Sequence, residues 1–539
     1  MIQRLANLET KYLNLLIIIV AAFIFIPFLG HVHLFDWDEI NFAEAAREMI
    51  LTKDYFRMYI NFEPFWEKPP FFIWLQVLSF KVFGVGGYGA RFPNAIAGII
   101  TLLVVFNIGK KLYNKKFGLI WALIFLGSFL PHFFFKTGII DPIFNLFIFL
   151  GLYYLYQTNT EANFFKTILS GVFIGLAILT KGPVALLVLL LCAVVYFIIY
   201  WINRKSKTIH FPVLTHIFLF FMVVAMVSFI WFGYETIKNG FWFIQEFIEY
   251  QIVLLRTSGA GHGGPFYYHP IVLLIGCFPA SIFVFKAFAK QDFDTYKQHD
   301  FKRWMIILFW VVLILFSIVK TKIVHYSSLT YFPITFLAAY FVYYLLEGKM
   351  QWNKYLTWGI AIIGSILSLV MIILPIIGKY KSHFLFLFEK DKFAMANIQA
   401  DVYWSGWEII VGLLFLVLLI YAIKLIKRME YEKGVLLLLF ATLFCFQVFL
   451  FWIAPKIEGY SQNAAIEFYE SKQNEVCNIN VMGYKSYAHL FYARKQPAFN
   501  EANVKQYYVT RVDRLDRVDV SNLKELYRKN GFVFYEDID

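Results

Sequence analysis

Charge is what this chain has least of: Asp, Glu, Lys and Arg make up 16% of its 539 residues, against 60% hydrophobic. That ratio excludes an ordinary soluble globular protein and marks a polytopic membrane protein. Cysteine is nearly absent. Cys192, Cys277 and Cys445 fall inside apolar runs and Cys477 stands alone near the end, so neither a disulfide framework nor a CxxC metal site is available. Internal repeats and low-complexity tracts are missing, and with them the usual signature of an inverted-repeat transporter. No small-residue cleavage site follows the apolar stretch Leu13 to Gly30, which therefore reads as a retained first helix rather than a signal peptide. The one excess is a net charge of +13. It lies in short loops between apolar runs rather than on one soluble face, so bilayer orientation accounts for it and nucleic acid is not expected as a partner.

At about 20 residues per span, hydropathy marks about thirteen spans, from Leu13–Leu29 to Val435–Ile453. The fold class expected is an all-α polytopic membrane protein over residues 1–453, followed by a small soluble α/β domain over residues 454–539. In that domain Val476 to Met482, Gln506 to Thr510 and Phe532 to Tyr535 read as strands, and Ser521 to Asn530 as a helix capped by Ser521 and closed by Gly531. No catalytic motif appears there, and the domain reads as a positioning or structural appendage.

Loop charge checks the count independently. If Arg4 and Lys11 are cytoplasmic, the basic loops around Lys110 to Lys116, Arg204 to Lys207, Lys286 to Arg303 and Lys424 to Lys433 all fall on that side. The C-terminal domain then lies outside. Lys68, Lys136, Lys181, Arg256, Lys320 and Lys322 lie on the outer rim instead, where the same rule expects few cations. Each alone fits a side chain snorkelling to headgroups or pairing with a local carboxylate. Together, on the rim that carries Asp38 and Asp141, they point to a phosphate site.

The stretch from Asp36 to Trp74 packs acids, a cation and tryptophans beside the first span, and charges kept against a membrane are expensive unless used. Asp38 opens a helical pattern expected to lie flat at the interface. Asp36 or Asp38 reads either as its N-cap or, for Asp38, as a proton acceptor for a hydroxyl. Glu67-Lys68-Pro69-Pro70 reads as a stiff loop holding two charges, or as a helix start. Asp141 before Pro142 is an N-cap by itself and gains meaning through Asp38. Thr180-Lys181-Gly182-Pro183 is a tight break with a cation at its tip. The Gly-rich loop from Arg256 through His262 to Tyr267 could close over a ligand, and His262 could meet a phosphate or a metal. Lys320-Thr321-Lys322 with His325-Tyr326 is a further cationic cluster that suits phosphate or pyrophosphate.

Taken in order, the Asp-Glu pair before Ala-Arg-Glu-Met, Phe-x-Glu-Lys-Pro-Pro-x-x-x-Trp, Arg-x-Pro-Asn-Ala, Thr-Lys-Gly-Pro, Pro-Phe-Tyr-Tyr and Lys-Thr-Lys-x-x-His-Tyr resemble the bacterial aminoarabinose transferases of lipid A and the wider protein O-mannosyltransferase-like group. The match runs over roughly residues 35 to 335. The resemblance implies a GT-C fold with interfacial periplasmic helices in the inner membrane. It also implies an undecaprenyl-phosphate sugar donor, an inverting transfer on the periplasmic side to lipid A, a related glycolipid or protein, and no required cofactor. By position Asp38 is then the general base and Asp141 a second essential acid. Glu67, Lys68, Lys181, Arg256, Lys320 and Lys322 surround the donor phosphate, with His262 and Tyr267 lining the cleft, and Glu67 and His262 stand where some relatives hold zinc. The chain departs from the family at Ile40-Asn41-Phe42, where Arg-Tyr is common, and at Lys136-Thr137-Gly138-Ile139, where a glycine-histidine precedes the second acid. A lipid-pyrophosphate polymerase or ligase and a lipid flippase are the alternative readings.

Overall fold

In the computed structural model every run expected to span folds as helix; the structure describes residues 1–160, 163–202, 214–256, 263–289, 291–497 and 504–538. Among the described residues nine helices are long and apolar enough to cross a membrane, or up to eleven if each of two bent pairs is one span. The bent pairs are Lys115–Leu126 with Phe129–Lys136, at 82°, and Tyr268–Gly276 with Ala280–Lys286, at 110°. Their breaks face one another, because the Phe129 amide donates to the Phe278 carbonyl at 3.1 Å. Backbone groups freed by one break are thus satisfied by the other, as a hydrocarbon surrounding requires. The remaining expected spans are Thr10–Phe25, a 16-residue helix, and Asp141–Thr160.

The innermost element is the stretch Val324–Leu346, whose most apolar window is 94% buried, against 28% for Val184–Ile202. A helix enclosed on every side must be apolar all round. Its polar cross-links to neighbours are few and paired: Trp121 Nε1 donates to Thr335 Oγ1 at 3.1 Å and Asn145 Nδ2 to Ser328 Oγ at 2.7 Å, among others. Gly118 explains how two other helices approach. A Cβ there would sit 2.3 Å from the Phe106 carbonyl oxygen, so only glycine allows Lys115–Leu126 to cross Gly87–Leu112 this closely.

One rim gathers the chain start with the loops around Lys110 to Lys116 and Lys424 to Lys433. Lys115 Nζ reaches the Leu8 carbonyl at 2.7 Å, Lys116 pairs with Glu347 at 2.6 Å, and the terminal amine pairs with Glu432 at 2.5 Å. Short elements crowd the opposite rim: helix Asp38–Thr52, the strand pair Tyr59–Ile60 and Glu63–Pro64, and helices Phe71–Phe83 and Trp242–Arg256.

Helix Asp38–Thr52 does not lie flat with a wetted polar face. Residues 39–49 are all buried, Glu44, Arg47 and Glu48 included. The C-terminal domain roofs it. Arg47 clasps Glu44 with two bonds of 2.7 Å and donates to the Lys495 carbonyl at 2.8 Å. Lys495 Nζ donates to Asn61 Oδ1 at 2.7 Å, and Glu48 accepts from the Asn61 and Phe62 amides at 2.7 and 2.8 Å. Buried charges are tolerated because each is paired or hydrogen-bonded.

The C-terminal domain carries a sheet in which Cys477–Met482 pairs parallel with Lys505–Arg511, followed by Phe532–Asp537 and Leu523–Lys529. Leu523–Lys529 corrects the helix expected over Ser521 to Asn530: it is a strand, antiparallel to Phe532–Asp537, with Lys529 facing Phe532. Asn530, at a φ of 52°, and Gly531 form a two-residue hairpin turn. Asn-Gly is a strong hairpin signal, and a glycine after a helical-looking run mimics a helix end.

Candidate active site

Asp38 and Glu39 are adjacent and do opposite things. Glu39 points inward: Arg91 donates to it through Nε at 2.8 Å and Nη2 at 2.7 Å, and the Phe35 amide adds a third bond at 2.9 Å. Arg91 in turn donates to the carbonyls of Leu29, Val32 and His33 at 2.7–2.9 Å. Burial would raise the Glu39 carboxyl, but the Arg91 guanidinium and the amides of Phe35 and Gly138 hold it below the usual range. Asp38 opens the helix, yet neither it nor Asp36 is the cap: Trp37 occupies that position with no side-chain cap. The side chain of Asp38, 34% exposed, is left facing the cluster described next.

Arg-x-Pro-Asn-Ala now has a physical role. Arg91 fixes the 29–39 stretch, and Asn94, one turn on, donates to the carbonyls of Thr137 and Ile139 at 2.7 and 2.6 Å. The Gly138 amide donates to Glu39, and a Cβ at Gly138 would already stand 3.4 Å from Glu39 Oε1. One helix start thus ties together the two segments that end in Asp38 and Asp141.

Asp141 begins its helix and meets Lys181, at the C-terminal end of Phe164–Lys181, with 2.6 Å between Oδ1 and Nζ. An acid at a helix start and a lysine at a helix end each suit the dipole they face. Gly182, at a φ of +100°, makes the break that leaves Lys181 at a tip. His325 Nε2 lies 3.4 Å from Asp38 Oδ2 and 3.7 Å from Asp141 Oδ2. Lys181 also stands 5.0 Å from the Tyr326 ring centroid. Lys68 is close enough to feel the charges of Glu67, Lys181, Asp38 and Asp141; burial lowers its ammonium below the ordinary lysine range, against the pull of Glu67. Asp38, Glu67, Lys68, Asp141, Lys181, His325 and Tyr326 therefore share one site, brought from five separate stretches of chain. Asp141 Oδ2 is buried without a hydrogen-bond donor, as expected where a group is kept for a ligand.

Other sequence candidates go elsewhere. Lys322 Nζ donates to the carbonyls of Phe316, Ser317 and Val319 at 3.0, 2.6 and 2.5 Å; it caps the end of helix Tyr296–Ile318, where a cation is favoured. Lys136 is likewise engaged by the carbonyls of Ile24 and Pro27 at 3.0 and 2.9 Å. Lys320 is exposed on the rim, and Tyr267 is 50% exposed against Phe266. The side chain of Arg256 and the whole of His262 lie outside the described residues. Among the described residues no group of three His, Cys, Asp or Glu could hold a metal ion. Glu39, Arg91 and Asn94 were not singled out from sequence as site residues. An arginine at the mouth of an apolar span was the available signal.

The arrangement offers a carboxylate open to a hydroxyl, a second acid, and two ammonium groups beside them. Such a set can accept a proton on one side while stabilising an anion on the other.

Residues 67–231 match the family described as dolichyl-phosphate-mannose-protein mannosyltransferase. The undecaprenyl phosphate-alpha-4-amino-4-deoxy-L-arabinose arabinosyl transferase of Wigglesworthia glossinidia brevipalpis is 26% identical over 396 residues, covering 71% of this chain and 68% of that one. The protein of the same name from Aeromonas hydrophila is 25% identical, covering 69% and 67%. The structure of ArnT from Cupriavidus metallidurans bound to undecaprenyl phosphate superposes with a TM-score of 0.77 at 17% identity, over 98% of this chain and 99% of that one. The fold is thus that of ArnT, and the resemblance carried by the motifs is borne out.

Proposed function

We propose that this chain is an inverting GT-C glycosyltransferase of the inner membrane, which moves one sugar from an undecaprenyl-phosphate carrier to lipid A or a related glycolipid. The observation that carries the reading is the convergence of Asp38, Asp141, Lys68, Lys181 and His325 on one rim site. The basic loops around Lys110 to Lys116 and Lys424 to Lys433, gathered with the chain start on the other rim, support a cytoplasmic N-terminus and a periplasmic active site.

In the reaction an acceptor oxygen attacks the anomeric carbon from the face opposite the phosphate, and its proton passes to Asp38. The bond between the anomeric carbon and the phosphate oxygen breaks, and its electron pair leaves with the phosphate. Lys181 and Lys68 stabilise that charge where water is scarce. Asp141 orients Lys181, and His325 bridges the two acids. The carrier's prenyl tail stays among the apolar helices. Of the residues suggested for zinc, Glu67 stands at the cluster; no step is assigned to a metal.

The test is to incubate purified protein with polyprenyl-phosphate sugars and lipid A and to follow the mass of the acceptor, with Asp38→Asn alongside. The wild type should add one sugar, and the variant should lose about a thousandfold in rate, within the range of a general base. Unchanged lipid A with every carrier would remove the acceptor assignment; normal transfer by Asp38→Asn would remove the base.

A further inference from the structure

The residue before the proposed base is unusually well held. The side-chain amide of Asn41, in the orientation that satisfies both partners, accepts from Trp37 Nε1 at 3.1 Å and donates to the Trp37 carbonyl at 2.9 Å. The Trp37 ring stacks on Tyr487 with centroids 5.1 Å apart and 27° between planes. The ammonium of Lys485 stands 4.8 Å from the Trp37 centroid. Tyr487 and Lys485 belong to the C-terminal domain, on the connection between strand Cys477–Met482 and helix Ala488–Tyr492. Ser486 between them lies beside the Asp36 carboxylate, and Tyr487 is within reach of the Glu67 charge. This connection thus touches both acid-bearing stretches, 36–38 and 67.

The loop is fixed rather than draped. Beyond it Tyr492 accepts from the Leu34 amide at 2.7 Å, and Gln462 donates to the Leu34 carbonyl at 2.8 Å. Trp37 and Tyr487 are therefore pre-organised in the sense a binding site needs, with Lys485 beside them. Among the described residues no carboxylate pairs with Lys485, which is exposed, whereas Lys181 is paired with Asp141.

Inversion separates the two partners of the displacement. The leaving phosphate lies on one face of the transferred sugar with Lys68 and Lys181, so the acceptor must arrive from the other, past Asp38. A phosphorylated acceptor would be repelled by the donor phosphate unless a second cation met it on its own side. A glycolipid headgroup also projects out of the bilayer, where the C-terminal domain stands and the membrane helices do not reach.

We propose that Lys485 is the acceptor-side anchor: it takes the phosphate of a phosphorylated sugar headgroup, whose ring lies against the Trp37–Tyr487 pair, and so sets the attacking oxygen beside Asp38. The paired rings supply an apolar wall with little entropy to lose. The C-terminal domain is then a specificity element. This inference rests on the glycolipid-acceptor reading above.

The experiment uses the full-length protein in nanodiscs. Binding of lipid A and of its dephosphorylated form is measured for the wild type, Lys485→Ala and Lys485→Arg, with undecaprenyl phosphate binding as a control. The wild type should prefer the phosphorylated form. Lys485→Ala should lose about ten- to a hundredfold in affinity for lipid A, the range for a hydrogen bond to a charged group. Lys485→Arg should keep most of that affinity, and undecaprenyl phosphate should bind all three alike. Equal binding of both glycolipids by the wild type, or unchanged lipid A affinity in Lys485→Ala, overturns the proposal. If lipid A binding depends on Lys485 but no sugar is ever transferred, the anchor stands and the transferase reading fails.

Discussion

Two groups of charges meet at one peptide bond, between Asp38 and Glu39, and they are built differently. The Glu39–Arg91 group is closed: Glu39 is 4% exposed, every Arg91 nitrogen has an acceptor, and backbone groups complete the set. The Asp38–Asp141–Lys181–His325 group is open, with Asp38 partly exposed, an Asp141 oxygen without a donor, and an imidazole between two acids at 3.4 and 3.7 Å. A buried charge with all its partners holds a backbone in place, whereas one with a partner missing is available for a ligand. The same rim needs both, because the open group is only as well placed as the closed group makes it.

Removing the closed group should give the largest effect. Arg91→Ala leaves the Glu39 carboxylate buried and unpaired, which costs about 3–5 kcal/mol. Thermal unfolding of the purified variant should show a large drop in Tm whether or not donor is present. If Arg91→Ala keeps the wild-type Tm, Glu39 and Arg91 do not brace the site.

Lys181→Ala attacks the open group. Asp141 is as buried as Glu39 but keeps His325 at 3.7 Å, so Tm should fall by less than in Arg91→Ala, while kcat/KM for a polyprenyl-phosphate sugar should drop about a hundredfold, in keeping with the loss of one charge-assisted phosphate contact. A large loss of stability with donor affinity intact would reverse the assignment.

The smallest effect is a shift of pH profile. Burial lowers Lys68, and donor phosphate is held by its charged form. In the free enzyme kcat/KM should therefore fall on the alkaline side, as pH rises through a value below the ordinary lysine range near about 10.4. Lys68→Arg keeps its charge at any accessible pH, so that limb should move to higher pH. An unchanged limb would take Lys68 out of the donor site.

The membrane helices were legible in the sequence because a run of apolar residues has one stable solution in a bilayer. The acids were legible as well, since Asp38 and Asp141 stand at helix mouths where lipid would exclude them. What misled was chemistry that looks the same for two purposes. Lys181, Lys322 and Lys136 are all lysines at span ends, yet one faces an acid across the site and two close helix ends on carbonyls. The Ser521 to Asn530 stretch carries helix-end punctuation that serves equally as a hairpin turn, and the neighbouring strand Phe532–Asp537 decides between them. The C-terminal domain read as an appendage because contacts that tie it to the 33–62 stretch pair residues 434 to 458 positions apart.

By itself the sequence determined that this is a multi-span membrane protein with acids and cations on one rim, because solvation of apolar and charged groups is a local property of each residue. Which of those charges share a site was decided only by the tertiary structure. Distances of 2.6 to 3.7 Å between residues 38, 141, 181 and 325 depend on how the helices cross, and on Arg91 and Asn94 holding two chain segments in one place.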